Sequence, residues 1–467
     1  MKRLTLTTIP LSMLIIGSID SIRNLPATAL FGSSLLIYFF FSAILFLFPS
    51  ALIAAELSGT CKENGGIFSW VRLAFGENVA FLSIWLQWVA NVVWFPTILV
   101  FISGSIAYLI NPELAQNKYF LITTTIAIFW LLTFINLRGV HFSAKITHIS
   151  TIVGMLIPVV ALILCAFIWI IKGNPSHLNF SSSFHYPELM NKDVLISLTA
   201  IMAGFVGIEL TGVHINDVDN PQQTFPRALF FSVCIIVITM LLGSFAIAVI
   251  TPMNQIKIVN GVMQTFTLFF NEYQISGLIP LLTILIILGS LGGVTNWIIS
   301  PAKGLLQAGQ IGFLPNFLKK MNRHNVASNL LITQAFIVSV ISLMFLIIPS
   351  VNGAYWLLTA LNTQIYMLMY VIMFAAGIVI RTKAFNKNKT FRIPGGKMGI
   401  WIVTLCGLTG CILTLIVGFI PPSQLKIGSH YQLILLSGIL LSLLPALILF
   451  ANKNLIFYKQ PILYSAE

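Results

Sequence analysis

Apolar stretches of about 20 residues or more recur along the whole chain, each long enough to cross a hydrocarbon core of ~30 Å at 1.5 Å rise per residue. They lie near residues 8 to 32, 35 to 58, 79 to 110, 119 to 137, 148 to 172, 193 to 216, 226 to 250, 277 to 306, 328 to 348, 354 to 381, 399 to 420 and 430 to 450. The pattern predicts an all-α polytopic membrane protein of about twelve transmembrane helices. No long polar segment interrupts them, so residues 1–467 are expected to form a single membrane domain. Three connections are amphipathic and predict helices lying in the interface: Gly65 to Phe75, Gly261 to Phe270 and Gln307 to Met321. The first and third follow spans two and eight. That recurrence suggests a five-plus-five inverted repeat, about 8–172 and 193–381, with spans eleven and twelve (about 399–450) outside it.

Composition agrees with the pattern: 58% of residues are hydrophobic, 8% are charged, and the mean hydropathy is +0.96. Such a chain has the lipid bilayer as its main solvent. Residues 9 to 19 with Ala27-Thr28-Ala29 imitate a signal peptide and cleavage site, but Asp20 and Arg23 stand between them, so this segment reads as part of the protein. The five cysteines form no CxxC and pair with no histidine at metal spacing, so neither a disulfide framework, a metal site nor any cofactor is expected.

The net charge of +13 has a topological explanation rather than a nucleic-acid one. With the N-terminus inside and the spans alternating, only Lys118, Lys172, Lys192, Lys257 and Lys426 fall outside. The basic stretch from Arg381 to Lys397 then faces the cytoplasm with both termini.

Charges inside spans are costly, by ~2.5 to 3.5 kcal/mol each on insertion scales, and mark functional candidates. Asp20, Glu56 and Glu209 are the acidic residues in or at the edge of spans. Asp20 sits in Gly17-Ser18-Ile19-Asp20-Ser21-Ile22-Arg23-Asn24-Leu25-Pro26, where small, polar and proline residues predict an interrupted helix. Two roles compete there. Asp20 and Arg23, at i and i+3, could neutralise each other; alternatively, the freed amides hold a substrate carboxylate while Asp20 or Arg23 meets a second charge.

Glu209 lies in Gly204-Phe205-Val206-Gly207-Ile208-Glu209-Leu210-Thr211-Gly212, a second predicted break. Here a transport role competes with a protonated carboxyl that merely bridges two helices. His214 is read as a hydrogen-bonded residue or as a proton-coupling and gating group beside Glu209. In span eight, Gly289-Ser290-Leu291-Gly292-Gly293 suits close packing, and Asn296 is a candidate ligand. Most tryptophans are expected to be interfacial anchors, which leaves Asn91 and Tyr366 as pocket residues from spans three and ten. No Walker loop, dinucleotide fingerprint, HExxH or GxSxG turn is present, and no nucleophile–base pair emerges, so an enzyme is not expected. Rows of pore-lining polar residues, which a channel needs, are also missing.

Broken first and sixth helices among twelve resemble the amino acid, polyamine and organocation transporter superfamily. Gly261-Val262-Met263-Gln264-Thr265-Phe266-Thr267, Phe391-Arg392-Ile393-Pro394-Gly395-Gly396-Lys397 and Gly65-Gly66-Ile67-Phe68-Ser69-Trp70-Val71 resemble the bacterial glutamate/GABA antiporters. The resemblance implies a multi-pass protein of the bacterial inner membrane that exchanges small-molecule amino acids by rocking a bundle against a scaffold, with a homo-oligomer compatible with it. It implies that Glu209 stands beside the substrate, flanked by Gly204 and Gly207. The expected binding set is then Gly17, Ser18, Ile19, Asp20, Ser21, Arg23, Asn91, Gly204, Gly207, Glu209, Asn296 and Tyr366. Ala203 and Val294 stand where arginine/agmatine antiporters resembling this chain have tryptophans, which moves the expected cargo toward glutamate-like, GABA-like or small neutral amino acids. The alternatives are a non-transporting sensor of the same fold and a proton-coupled symporter.

Overall fold

A computed structural model of the chain describes residues 7–60, 66–139, 152–178, 195–210, 218, 220–383, 391–423 and 430–457. Ten helices among these are long and apolar enough to cross a membrane: Gly32–Thr60, Glu77–Ile110, Lys118–Asn136, Val153–Ile171, Gln223–Ile250, Ser276–Gln310, Ser328–Ile347, Val351–Thr382, Gly396–Val417 and Tyr431–Phe450. They correspond to spans two to five and seven to twelve. Spans one and six are the two that are broken, into Thr8–Ile19 and Leu25–Ala29 for the first and a helix Ser197–Phe205 with a short turn to Leu210 for the sixth. The chain is an all-α polytopic membrane protein.

Burial separates the surfaces as lipid requires. Phe40, Phe230, Phe336 and Leu433 are among the exposed large apolar side chains, whereas buried serines and threonines return their hydroxyls to carbonyls one turn back, as Ser83, Ser103 and Thr133 do. The amphipathic connections are only partly as expected. Ile67–Phe75 and Gly261–Glu272 are helices, but span eight runs on to Gln310, and the third connection holds only a short 3-10 turn, Asn316–Lys319, before a bridge between Met321 and Ala327.

One end of the molecule is clamped by charge. Glu56, at the end of span two, accepts from the Arg381 guanidinium at 2.6 Å and from the Ile393 amide at 2.9 Å. Arg381 also donates to the Ile393 and Gly396 carbonyls, both at 3.1 Å. The Phe391–Lys397 segment is thus held against spans two and ten by fully engaged, largely buried charges.

Spans five and eight cross backbone to backbone. A Cβ on Gly154 would fall into the Gly289 backbone, and one on Gly289 into that of Gly154, so both positions require glycine. Gly289→Leu is therefore expected to destabilise the purified protein by at least about 1–3 kcal/mol through overpacking. Gly293→Ala, whose Cβ meets nothing within 4 Å, is expected to leave stability unchanged. Thermal unfolding in detergent distinguishes the two; indistinguishable midpoints would refute the close crossing.

Candidate functional site

The first break follows directly from its residues. The helix from Thr8 ends at Ile19, Asp20 and Ser21 are extended (ψ 130° and 122°), and the chain resumes as a 3-10 turn, Ile22–Asn24, ahead of Leu25–Ala29. Pro26 sits in the first turn of that last helix, where its missing N–H costs nothing; in one continuous helix its ring would collide with the Ile22 carbonyl. The interruption frees the Ser18 carbonyl, which in an unbroken helix would accept from the Ile22 amide. Trp297 of span eight takes that place, its indole N–H donating to the Ser18 oxygen at 3.1 Å.

The second break lies against the first. After Phe205 the chain is extended at Val206 (ψ 141°) and turns through Gly207 at φ 118°, a conformation that requires glycine. A Cβ there would be 2.9 Å from the Trp297 ring and 3.5 Å from the Ser18 carbonyl oxygen. The Gly207 amide donates to the Tyr370 hydroxyl at 3.0 Å. That hydroxyl donates in turn to Glu209 Oε2, while Gln87 Nε2 donates to Oε1 at 2.7 Å.

Between the breaks lies a cavity of about 50 Å³, room for roughly four waters. Span one supplies Gly17, Ser18, Ile19, Asp20, Ser21 and Arg23. Asn91 and Trp94 come from span three, Gly154 and Met155 from span five, and Ala203 and Val206 from span six. Gly289, Gly293 and Trp297 of span eight and Asn362 and Tyr366 of span ten complete it. Trp297 stacks obliquely on Trp94, with ring centroids 5.4 Å apart, and meets Tyr366 edge-on at 6.4 Å, forming an aromatic wall.

Asp20 and Arg23 do not neutralise each other, which corrects one of the two readings of their spacing. The extended residues rotate them to different neighbours. Asp20 Oδ2 accepts from Thr239 of span seven at 2.5 Å. Arg23 Nη1 donates to Thr97 at 3.1 Å and to Tyr355 at 2.8 Å, with the guanidinium carbon 5.0 Å from the Trp94 ring centroid. Both residues are buried, yet Asp20 Oδ1 and Arg23 Nε have no hydrogen-bond partner; nor do Asn91 Oδ1 and Nδ2 or Asn362 Oδ1. Each such group typically costs about 1–3 kcal/mol when left dry, so the cavity is built for a polar occupant.

Of the expected site residues, Gly17, Ser18, Ile19, Asp20, Ser21, Arg23, Asn91 and Tyr366 share this cavity. Glu209, Gly204 and Gly207 do not line it. Both carboxylate oxygens of Glu209 are engaged behind the wall, and Gly204 makes room for Met240 of span seven. His214 and the Asn296 side chain lie outside the described structure. Reading tryptophans as interfacial anchors overlooked Trp94, which sits mid-way along Glu77–Ile110. Val294 is fully buried off the cavity, and Trp297, one turn later, supplies the aromatic ring that Val294 lacks. Asn362 is one of several polar residues that mark span ten in the sequence, of which only Tyr366 is expected in the pocket, and Thr239 carries no signal there, since isolated polar residues in apolar spans are common and only packing aims them.

Comparison with known proteins agrees with this architecture. Residues 6–444 match the family model described as amino acid permease. An uncharacterized transporter of Legionella pneumophila is 38% identical over 433 residues, covering 92% of this chain and 93% of that protein. A glutamate/gamma-aminobutyrate antiporter of Lactococcus lactis subsp. lactis is 30% identical over 437 residues, covering 92% and 87%. A probable agmatine/putrescine antiporter of the same organism is 20% identical over 434 residues, covering 93% and 92%. A cavity between two helix breaks, in a chain matched over nearly its whole length, belongs to a transporter and not to an enzyme: this protein is a member of the amino acid permease family, within the amino acid, polyamine and organocation superfamily.

Proposed function

We propose that this protein is an amino acid antiporter of the bacterial inner membrane, with cytoplasmic termini, exchanging glutamate-like, GABA-like or small neutral amino acids by alternating access. The observation that carries the reading is the pair of unsatisfied charges of opposite sign in one buried cavity, Asp20 toward span seven and Arg23 toward spans three and ten. A zwitterion answers both: its ammonium meets Asp20 Oδ1, its carboxylate meets the Arg23 guanidinium, and Asn91 and Asn362 supply neutral hydrogen bonds. Support for the cargo class also comes from the Lactococcus relative, whose name specifies glutamate and gamma-aminobutyrate.

The small cavity and the Trp297–Ser18 bond give alternating access a physical handle. A substrate longer than a few heavy atoms requires the Trp94–Trp297 wall to move, and that movement breaks the bond by which span eight holds span one. Binding and rearrangement are thereby linked through one side chain. Glu209 acts behind this wall by fixing Tyr370, and through it the Gly207 amide, so its part is to position span six rather than to touch the cargo.

Counterflow in proteoliposomes tests the reading: labelled glutamate, GABA or alanine is expected to accumulate only when a cold substrate is trapped inside, and failure of every amino acid in a broad panel would overturn it. Asp20→Asn and Arg23→Gln are each expected to lower kcat/KM by about 10- to 100-fold, the worth of a hydrogen bond to a charged group. If the zwitterion lies as described, Arg23→Gln affects carboxylate-blocked analogues much less than free amino acids, and equal losses on both would contradict that orientation. Glu209→Gln is expected to keep the protein folded and slow exchange at least ten-fold, because an amide cannot accept from both Tyr370 and Gln87 as the carboxylate does. Wild-type exchange in that variant would remove Glu209 from the mechanism.

A further inference from the structure

We infer that a second pocket, at the end of the molecule where spans four and eight meet the 321–327 hairpin, binds the phosphate headgroup of an anionic phospholipid. It is a cavity of about 730 Å³ bounded by Arg138, Lys303 and His324, with no carboxylate lining it among the described residues. All three side chains are exposed, and the described ion pairing of this chain, Glu56 with Arg381, lies elsewhere. Arg323 stands beside the mouth, its Nε donating to His324 Nε2 at 3.3 Å. Lys303 is turned about 120° around span eight from Trp297, counting 100° per residue, so this pocket is separate from the substrate cavity.

The hairpin side of the rim is held in place rather than carried on a loose loop. The Asn322 side-chain oxygen accepts from the His324 amide at 2.9 Å and the Val326 amide at 3.1 Å, and a Met321–Ala327 bridge closes the hairpin. Asn322 Nδ2 donates to the Leu137 carbonyl at 2.7 Å, which ties the hairpin to the end of span four, where His324 lies against Gly139. The walls include an apolar part, Ile299, Ala302, Leu306 and Leu331, beside the polar Gln307, Gln310 and Asn325. Exposed Met321 lines the pocket, and exposed Phe134 lies four residues before Arg138. Two cations, Arg138 and Lys303, beside an apolar wall match a phosphodiester headgroup with the start of its acyl chains better than a free anion, which uses no apolar wall. Basic pockets between helices at this level take anionic headgroups, and each Lys or Arg there contributes about five-fold in affinity.

The test uses the full-length protein, delipidated in detergent, with phosphatidylglycerol, cardiolipin, phosphatidylethanolamine or inorganic phosphate, and bound lipid read by native mass spectrometry. Phosphatidylglycerol or cardiolipin is expected to be retained and phosphatidylethanolamine not. Arg138→Gln combined with Lys303→Gln is expected to weaken retention about 25-fold, two charges at about five-fold each. Arg138→Lys in place of Arg138→Gln in that background is expected to recover about five-fold, leaving the five-fold loss due to Lys303→Gln, and Lys397→Gln, outside the pocket, to change nothing. Equal retention of the zwitterionic lipid, or unchanged retention in the double variant with an unaltered elution profile, would overturn the proposal. Displacement of phosphatidylglycerol by equimolar inorganic phosphate would reassign the pocket to a soluble anion and overturn the lipid assignment.

Discussion

A backbone interrupted inside a bilayer must find its hydrogen bonds within the protein, because lipid offers none. In this transporter two such interruptions are stacked, and two side chains from other spans supply the missing partners. Trp297 caps the Ser18 carbonyl, and the Tyr370 hydroxyl receives the Gly207 amide. Much else follows from that knot. Gly207 must be glycine because the Trp297 ring occupies the place of its Cβ, and Glu209 is drawn behind the wall because it accepts from the same tyrosine that caps the break.

The same interruption separates two charges that a helix would have joined. In a continuous helix Asp20 and Arg23 would lie one turn apart on one face, a neutral pair with little use. Two extended residues send one toward Thr239 and the other toward Thr97 and Tyr355. Each keeps an unsatisfied atom, and the cavity becomes bipolar. Breaking the helix thus frees backbone groups and also parts two charges that a continuous helix would have paired.

At the clamped end the opposite arrangement holds. Glu56 and Arg381 satisfy each other and three backbone groups of the Phe391–Lys397 segment. The charges of this clamp are satisfied and hold elements together, whereas those of the span-one break keep unpartnered atoms. The close Gly154–Gly289 crossing adds a further fixed point beside the cavity.

Hydropathy and composition by themselves determined the membrane class, the twelve apolar segments and the location of both breaks, because lipid demands length and apolarity and penalises Gly, Pro and charge within a span. Local residues such as Gly17 to Pro26 carry that information in their own backbone preferences. Which side chains meet across the breaks was decided only in the tertiary structure. Asn362, Thr239 and Trp297 come from spans hundreds of residues distant from Asp20, and no periodicity aims them at it. Glu209 shows the limit most sharply: its cost in a membrane made it a candidate from sequence, but whether it faces cargo or a tyrosine depends on how spans three, six and ten pack, which no local rule encodes.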